Sequence, residues 1–537
     1  DNKYVAVLPF KYEGNNEFES MVSFGLLKYI IYKLNKMEKF DRQMWVAFSD
    51  FIFDETIDSV QEVYGLFGAN QAIKGRFISD NENYSLLLIR YNVDSVSATP
   101  YDSIFIDKRP KTNIGAWQDS LTFEIVKLAG FELTQEIKNH LITGGTTVPD
   151  AYWNYLAGLG YYQENGYHNM DSAVNFLTES IDLDPSYALA HAFLGYTLYH
   201  HNQSKEVLNK AIAHCEKAID LNEKLSISYL FLNQIYRYKG EYRKAFFNLK
   251  EILEMDSLNY FALKDMGVLY EFQKEYDQCV KYYNKVKALK PDFFQPYNLL
   301  AFFYFYTTEY KKAIKENEQI IRLMPDNSFG YANSGACYFA IENYSMAKKM
   351  FKKAIDMKPE AWCYKNLGTV YYFENNYSSA IEMFKKSNEL KKLDFETLCY
   401  LAESYKWENK LDSAIIITNA ALDIFNSNPE YSDYSSYLAY AADGYAFLGN
   451  SQKSKYLLNK ALKQTITYPA TCITVVSVYE QLGKREQALH WLEKGLENNY
   501  SIKRIRKNPG FKELRTDERY LAIIKRYEDK IEKPEGH

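Results

Sequence analysis

The sequence lacks the features on which a disulfide scaffold or a membrane span would depend. It has six cysteines in 537 residues, and no two of them form a Cys-x-x-Cys pair. We interpret them as buried thiols, because four of the six fall in predicted helices at positions that need a small apolar residue. No apolar run reaches the roughly 18 residues of a membrane helix, and the longest candidate, residues 24–34, is interrupted by Lys28 and Lys33. Disulfides, thiolate metal sites and a membrane span are therefore not expected.

The sequence also lacks a large excess of one charge, and it lacks the common catalytic motifs. The net charge is −5 for 64 basic and 69 acidic residues, which is too mild to indicate a nucleic-acid partner. The basic run 503–507 is short, and we interpret it as a solvated turn. No phosphate-binding loop, dinucleotide fingerprint, HExxH or GxSxG motif is present. We therefore predict no catalytic residue and no cofactor. We also predict no metal site, because the helical positions of the one cluster of candidate ligands do not converge. Its members are His191, His200, His201, His214 and Cys215.

What the sequence does contain is a period. Small residues recur at spacings of 38, 34, 34, 34, 34, 33, 34, 40 and 34, at Ala173, Ala211, Ala245, Cys279, Ala313, Ala347, Ala380, Ala414, Ser454 and Ala488. A 34-residue repeat of this kind resembles the tetratricopeptide repeat, a pair of antiparallel helices. We therefore predict about ten such repeats over residues 150–497, stacked as an all-α superhelix.

One unit shows why the pattern folds in this way. In residues 294–327, Leu300 and Ala301 lie in the first predicted helix, and Ala313 opens the second. Small residues on both helices allow a close approach, and Pro325 ends the unit because proline cannot continue a helix. A single hairpin cannot bury its apolar face alone, so stacking is obligatory. The longer spacings predict lengthened helices or loops near residues 200–202 and 426–434.

The first 143 residues follow a different pattern. The apolar run 4–10 predicts a buried strand, and residues 17–37 predict an amphipathic helix. Further strands are predicted at 44–49, 72–78, 84–93 and 101–107, and further helices at 58–67 and 114–141, with a turn at 80–83. The order indicates a small mixed α/β sandwich domain, so the fold class is α+β. Residues 144–147 are interpreted as a linker and residues 498–530 as a cap.

Several strings in this domain resemble the TolB-type amino-terminal (FlgO-like) family. They are Val5–Phe10, Phe24–Leu27 and Phe67–Gly75, although Ser23–Gly25 replaces the family's usual Asp-Gly pair. The cap is also similar to that family's ending, with Pro509, Phe511, Leu514, Arg515 and Asp517 in place. The resemblance implies the extracytoplasmic part of a bacterial transmembrane signalling protein, whose effector would be a Ser/Thr kinase, a cyclase or a transcription activator. Its membrane segment would precede Asp1, outside this sequence.

The concave groove of the repeats is the predicted binding site. In this class of repeat, unit positions 2, 5, 9, 12 and 13 of the first helix line the groove, and they are rich in aromatic residues here. The alternative is that positions 12 and 13 pack against the next unit. The predicted ligand-binding residues are Phe261, Lys264, Asn298, Phe302, Phe305, Tyr306, Phe339, Trp362, Lys365, Tyr372, Phe373 and Trp407, and Glu396 and Glu403 are further polar groove positions.

Two functions fit these observations. In the first, the groove binds a peptide, a protein segment or a glycan, and the amino-terminal domain couples occupancy to a membrane-tethered effector, which places the chain outside the cytoplasm. In the second, the chain is a free-standing periplasmic or cytoplasmic scaffold. The Lys/Asn pattern that grips a peptide carboxylate in chaperone-binding repeats is not clearly present. An enzyme in the amino-terminal domain would need a polar pocket that the sequence does not indicate.

The groove hypothesis predicts the outcome of a double substitution. Phe305→Ala with Tyr372→Ala should weaken partner binding and leave the melting temperature nearly unchanged, because groove side chains contact the partner and not the core. Calorimetric melting beside a binding titration measures both effects. A large drop in melting temperature would instead identify the two as core residues.

Overall fold

The computed structural model gives the architecture of nearly the whole chain. The residues it describes are 3–14, 16–42, 44–46, 60, 62–79, 82–94, 97–110, 114–141, 145–164, 169–391, 395–464, 466 and 468–532. The chain consists of a mixed-sheet region followed by an all-helical array, as the sequence predicts.

The amino-terminal region is built on one mixed sheet. Its strands are β1 (Lys3–Val7), β2 (Lys11–Glu13), β3 (Met44–Val46), β4 (Gln71–Ser79), β5 (Asn83–Val93) and β6 (Ala98–Pro110). The order is β3-β1-β4-β5-β6, with β2 paired to β4. Strand β1 is parallel to β3 and β4, whereas β4, β5 and β6 are antiparallel. A central strand buried on both faces is expected to be continuously apolar, which accounts for the run that begins at Tyr4.

Helices cover both faces of this sheet. They are α1 (Glu17–Asn35), α2 (Glu62–Phe67), α3 (Ile114–Leu128) and α4 (Gln135–Leu141). Side chains of α1 and α3 join one core with Val5, Val7 and Ile73, whereas α2 packs with Ala6 on the opposite face. The sheet therefore lies between helices on its two faces.

Most sequence-predicted elements are present, with two differences. The single helix predicted over 114–141 is two helices, because Gly130 between them has φ +84°, which a helix cannot contain. The three-residue strand β2 is too short to leave a periodic signal. The predicted segments at 47–49, 58–59, 61, 80–81 and 144 lie outside the described residues.

The array consists of helix pairs at the predicted period. Within the described residues the ten pairs are α5 (Pro149–Glu164) with α6 (Met170–Leu183), α7 (Ala188–His201) with α8 (Lys205–Leu221), α9 (Ser226–Tyr238) with α10 (Tyr242–Met255), α11 (Tyr260–Phe272) with α12 (Tyr276–Leu289), α13 (Phe294–Tyr306) with α14 (Tyr310–Leu323), α15 (Ser328–Ala340) with α16 (Tyr344–Met357), α17 (Ala361–Phe373) with α18 (Tyr377–Leu390), α19 (Phe395–Trp407) with α20 (Leu411–Ser427), α21 (Ser435–Phe447) with α22 (Ser451–Leu462), and α23 (Pro469–Gln481) with α24 (Arg485–Glu497). The two long spacings correspond to the 17-residue helices α8 and α20, and α20 is followed by a 3₁₀ turn at Pro429–Asp433.

Small residues hold the two helices of a pair close together. A Cβ added to Gly195 would lie 2.5 Å from the Sγ of Cys215 and 2.6 Å from the carbonyl oxygen of Ala211. A Cβ on Gly335 would likewise lie 2.9 Å from the Phe351 ring. These distances are too short for real contacts, so only glycine allows this interhelical spacing.

The turn inside each of the third to tenth pairs contains one residue in the left-handed region. This position is glycine in the third, ninth and tenth pairs, at Gly240, Gly449 and Gly483, but not in the five between. There it is Lys274 (φ 61°), Thr308 (φ 63°), Glu342 (φ 59°), Asn375 (φ 64°) and Asn409 (φ 58°). A β-branched threonine at such a φ is strained, so the chain tolerates a local cost at this turn.

The described chain divides into two compact units. The first contains residues 1–303 and 319–326, and the second contains residues 304–318 and 327–537. In the first unit α1 packs on α5 as a further helix of the array: a Cβ on Gly25 would lie 1.8 Å from the carbonyl oxygen of Leu156, and one on Gly160 would lie 2.0 Å from that of Met21. The amino-terminal domain and the first repeats are therefore one packed body.

The second unit ends in a cap. After α24 the chain forms α25 (Ile502–Lys507), two short 3₁₀ turns and α26 (Glu518–Glu532). Tyr520, Ile523 and Ile524 of α26 are buried with Leu489 and Leu492 of α24, which covers the apolar surface of the last pair.

The cysteines and the helix lengths agree with the sequence analysis. All six cysteines are free thiols, five of them buried and Cys399 half-buried. Among the helices that the structure describes, none is both long and apolar enough to cross a bilayer.

Strain at the turn predicts a stabilising substitution. Thr308→Gly should raise the free energy of unfolding by about 1 kcal/mol, because glycine adopts this φ without steric cost. The reverse change at the equivalent turn, Gly449→Thr, should lower it by about 1–3 kcal/mol, since an added Cβ there meets no other atom within 4 Å and only strain changes. Urea unfolding midpoints of the two variants test this, and equal midpoints would show that the turns carry no strain.

Candidate functional site

The predicted groove residues lie on the first helices of five pairs. We call the side of a unit that these first helices form its first-helix face. In the first unit, Phe261, Lys264 and Asn298 are half-buried, and Lys264 lies 3.3 Å from the Asp265 carboxylate. Phe302 is 64% exposed. Solvent therefore reaches Phe302 much more than its three neighbours.

The amino-terminal domain occupies much of the first-helix face in the first unit. The Nζ of Lys28, on α1, lies 4.0 Å from the centre of the Tyr162 ring on α5, and Tyr32 meets Phe193 of α7 edge to face at 6.5 Å. Further along, the Phe293 ring, just before α13, lies 4.0 Å from the Trp45 ring of β3. Phe293 is 2% exposed and completes the core on that face of the sheet.

Buried charges accompany this contact. Two nitrogens of the Arg42 guanidinium donate to the two carboxylate oxygens of Asp256, at 2.7 and 3.3 Å. The Nζ of Lys290, 4% exposed, donates to the carbonyl oxygens of Arg42 and Met44 and lies 3.6 Å from Glu38. Burial raises the pKa of Glu38 to about 7, against the opposing effect of Lys290, and burial lowers the pKa of Lys290. Removal of one partner would leave a buried charge alone, so the domain is held in one position.

In the second unit, two predicted groove aromatics are open to solvent. Phe305 is 41% exposed and Tyr306 is 73% exposed, both at the end of α13. The Phe305 ring meets the Tyr310 ring edge to face, with 5.4 Å between the ring centres. Large exposed aromatic side chains of this kind are typical of recognition surfaces.

Three other predicted residues are held by hydrogen bonds within the chain. Lys365 donates to the Glu396 carboxylate at 2.9 Å, and the Trp362 indole donates to Glu360. Tyr372 is buried and donates to the Oε2 of Glu403 at 2.8 Å. Tyr372→Ala would therefore remove a core side chain, and the double substitution suggested by the sequence combines an exposed residue with a buried one. Both residues occupy unit position 12, so the alternative that the sequence left open, packing of this position against the next unit, holds at Tyr372 and does not hold at Phe305.

Phe339, Phe373 and Trp407 are contacted by the chain's own carboxyl-terminal segment. The Arg504 guanidinium lies 4.4 Å from the Phe339 ring and 4.7 Å from the Phe373 ring. Gly510 lies against Trp407, since a Cβ there would be 3.5 Å from the indole. The interpretation of residues 503–507 as a solvated turn was therefore wrong: these residues lie in helix α25, and Arg504 is packed. A run of five residues carries no signal for a contact 160 positions away.

Two acidic side chains of the second unit line one small cavity. Glu403 on α19 and Asp443 on α21 both line a cavity of about 30 Å³, together with Lys406 and Tyr440. Asp443 accepts from Gln481 at 2.7 Å. Burial, and then the Asp443 charge, raise the pKa of Glu403 to about 7. The pair therefore keeps one proton at a pH where two isolated carboxylates would have lost both.

The histidines do not assemble a metal site in the described residues. His191 and His214 contact each other through their Nδ1 atoms at 3.1 Å, and the Nε2 of His191 donates to the Pro185 carbonyl. His201 pairs with Asp171 instead. No group of three or more His, Cys, Asp or Glu side chains that could hold an ion occurs in the part of the chain that is described.

Comparison with known proteins identifies the array. A family model described as "Tetratricopeptide repeat" matches residues 265–293 and 330–360. The class defined by the fold and this match is therefore the tetratricopeptide repeat protein, whose members generally bind peptide or protein partners and are generally not catalytic. No curated protein matches this sequence.

Solved structures similar to this chain include three of different sizes. Pseudomonas aeruginosa PilF is 18% identical over 39% of this chain and 95% of its own, with a TM-score of 0.32. The Cut9–Hcn1 hetero-tetramer of APC/C gives 14% identity over 77% of this chain and 81% of that chain, with a TM-score of 0.36. A tetratricopeptide repeat protein of Parabacteroides merdae gives 16% identity over 48% and 98%, also at 0.36.

The acid pair predicts a pH dependence with a definite sign. Because the pKa of Glu403 is higher in the folded chain than in the unfolded one, its contribution is complete at low pH and is lost as the pH rises through about 7. Glu403→Gln stays neutral, so the melting temperature of the variant should fall less than that of the wild type between pH 5 and 8. Glu396→Gln, on the same helix, is the matched control and should keep the wild-type profile. Parallel profiles for the wild type and Glu403→Gln would contradict the assignment.

Proposed function

We propose that this chain is a non-catalytic protein-binding module that receives a partner segment on the first-helix face of its second unit. The observation that carries the proposal is the exposure of Phe305 and Tyr306 on that face. Their rings contribute little to the core, and burying them against a partner would remove a large apolar area from water.

We place the binding site on the second unit because the amino-terminal domain already covers much of the first-helix face of the first unit. In the first unit, Lys28, Tyr32 and Trp45 of the amino-terminal domain lie against the corresponding face. In the second, the face combines open aromatic rings with carboxylates, among them Glu403 and Asp443. A partner segment with basic and aromatic side chains would complement such a surface.

The finer proposal concerns the cellular role. We infer that the amino-terminal domain is TolB-like and that the chain is the extracytoplasmic sensor part of a bacterial signalling protein. The sequence similarity at Val5–Phe10 and Phe67–Gly75 supports this, as does the docking of that domain on the repeats through Phe293. A free-standing scaffold is the alternative. Protease added to spheroplasts of the native host would cleave a tethered extracytoplasmic module and would leave a cytoplasmic scaffold uncut, whereas a free periplasmic scaffold would be released when the spheroplasts are made.

Binding is tested with selected peptides. A random peptide library panned on the purified chain should yield binders whose affinity falls at least tenfold in Phe305→Ala/Tyr306→Ala, because both rings leave the recognition surface. The melting temperature should stay within about 2 °C of wild type, since both side chains are exposed.

Tyr456→Ala is the matched control for that experiment. Tyr456 is 66% exposed in the same unit but lies on a second helix, α22, so its removal should leave binding unchanged. The proposal fails if the library yields no binder, or if binders are affected equally by the control and the groove variant.

A further inference from the structure

The segment Tyr500–Gly510, which we call the strap, follows the first helices of the sixth to eighth pairs. Arg504 contacts the sixth, the carbonyl oxygen of Lys507 accepts from Asn375 of the seventh at 3.4 Å, and Gly510 lies on Trp407 of the eighth. Three residues of the strap, each three positions after the last, therefore contact three successive repeats. A bound peptide that followed this face would make contacts at the same spacing.

Arg504 is held as a ligand group would be held. Its guanidinium lies over the Phe339 and Phe373 rings, at 4.4 and 4.7 Å from their centres, and the two ring centres are themselves 5.6 Å apart. Its Nη2 donates to the Phe339 carbonyl at 2.8 Å, and its Nε donates to the Tyr344 hydroxyl at 3.1 Å and lies 3.4 Å from Glu342. Two aromatic faces, a carbonyl and a carboxylate together select a planar cation over an ammonium group.

The carboxylate in this site belongs to the left-handed turn position of the sixth pair. Glu342 has φ 59° there, whereas the position is glycine in three other pairs and Lys, Thr or Asn in four. Its carboxylate meets Arg504 and, at 3.8 Å, Lys503. Glycine at this turn would relieve the strain but would remove a charge that faces two cations.

Tyr500 lies four residues before Arg504 and packs against the cap core that contains Ile473 and Leu489. Burial raises the pKa of its hydroxyl. The aromatic residue of the strap is therefore held on the cap side, and Arg504 is the side chain that the strap presents to the earlier repeats.

The residues that close the array are different from those that contact the earlier repeats. Helix α26 covers the last pair with Tyr520, Ile523 and Ile524. Ile505 and Phe511 fix the strap on the side of α23, with Ile473 and Val476, and leave Arg504 directed to the earlier repeats. Capping and groove contact are thus separate tasks of separate residues.

We propose that the strap is an internal ligand of this groove, and that the natural partner presents an arginine that displaces Arg504 from the Phe339 and Phe373 rings. The inference rests on the proposed function for its partner, because only a protein-binding face needs an occupant that can be exchanged. The strap then lowers the affinity for segments that lack such an arginine.

The test uses the full chain and a labelled peptide of residues 498–512. Fluorescence anisotropy should show the peptide binding at least tenfold more tightly to Arg504→Ala and Arg504→Glu than to the wild type, because both variants vacate the cation site. Arg506→Ala is the matched control, since Arg506 pairs with Glu528 on the exposed side and should behave as wild type. A peptide with lysine in place of Arg504 should bind at least fivefold more weakly than the native peptide.

Two results would overturn the inference. One is that both folded Arg504 variants bind the peptide no better than the wild type, and the other is that the lysine peptide binds as well as the native one. Failure of the proposed function alone would give a different result from failure of this inference. The peptide would still bind to Arg504→Ala, but the library panned on the same variant would yield no partner. Library binders unaffected by Arg504→Ala would instead refute the internal ligand and retain the module.

Discussion

The close contact between the two helices of each pair is the constraint on which the array depends. Gly195 and Gly335 leave no space for a methyl group, so each first helix lies against its second helix at backbone distance. That contact uses one side of the first helix, and stacking on the next pair uses another. The remaining side forms the first-helix face, and its aromatic residues must be covered by the chain, by a partner or by water.

In both units the chain itself covers part of this face. The first unit uses its amino-terminal domain, in which Lys28 lies on Tyr162 and Trp45 packs against Phe293. The second uses Arg504, which lies over both the Phe339 and the Phe373 rings. Intramolecular ligands cost no translational entropy, so even modest contacts of this kind stay formed until a stronger segment competes.

Buried charges distinguish the two coverings. Lys290 and Glu38 are both nearly inaccessible, and separating them would leave a charge in an apolar core, which makes the docking of the amino-terminal domain a permanent feature. Arg504 is 16% exposed and Glu342 is 18% exposed, so water can replace their contact. The acid pair Glu403 and Asp443 lies beside the second covering and adds negative charge that a basic segment would neutralise.

The sequence by itself determined the repeat, because a 34-residue recurrence of small residues reflects contacts inside one helix pair, and such contacts are local. It also predicted most strands and helices of the first domain, since apolar periodicity is a property of neighbouring residues. The groove residues were found only as a set: the sequence placed Phe305 and Tyr372 on equivalent helices but could not tell that one is exposed and the other buried. Only the tertiary structure decided that, and only it brought Arg504 to Phe339, because contacts between residues 160 positions apart leave no trace in local pattern and depend on how successive pairs turn about one another.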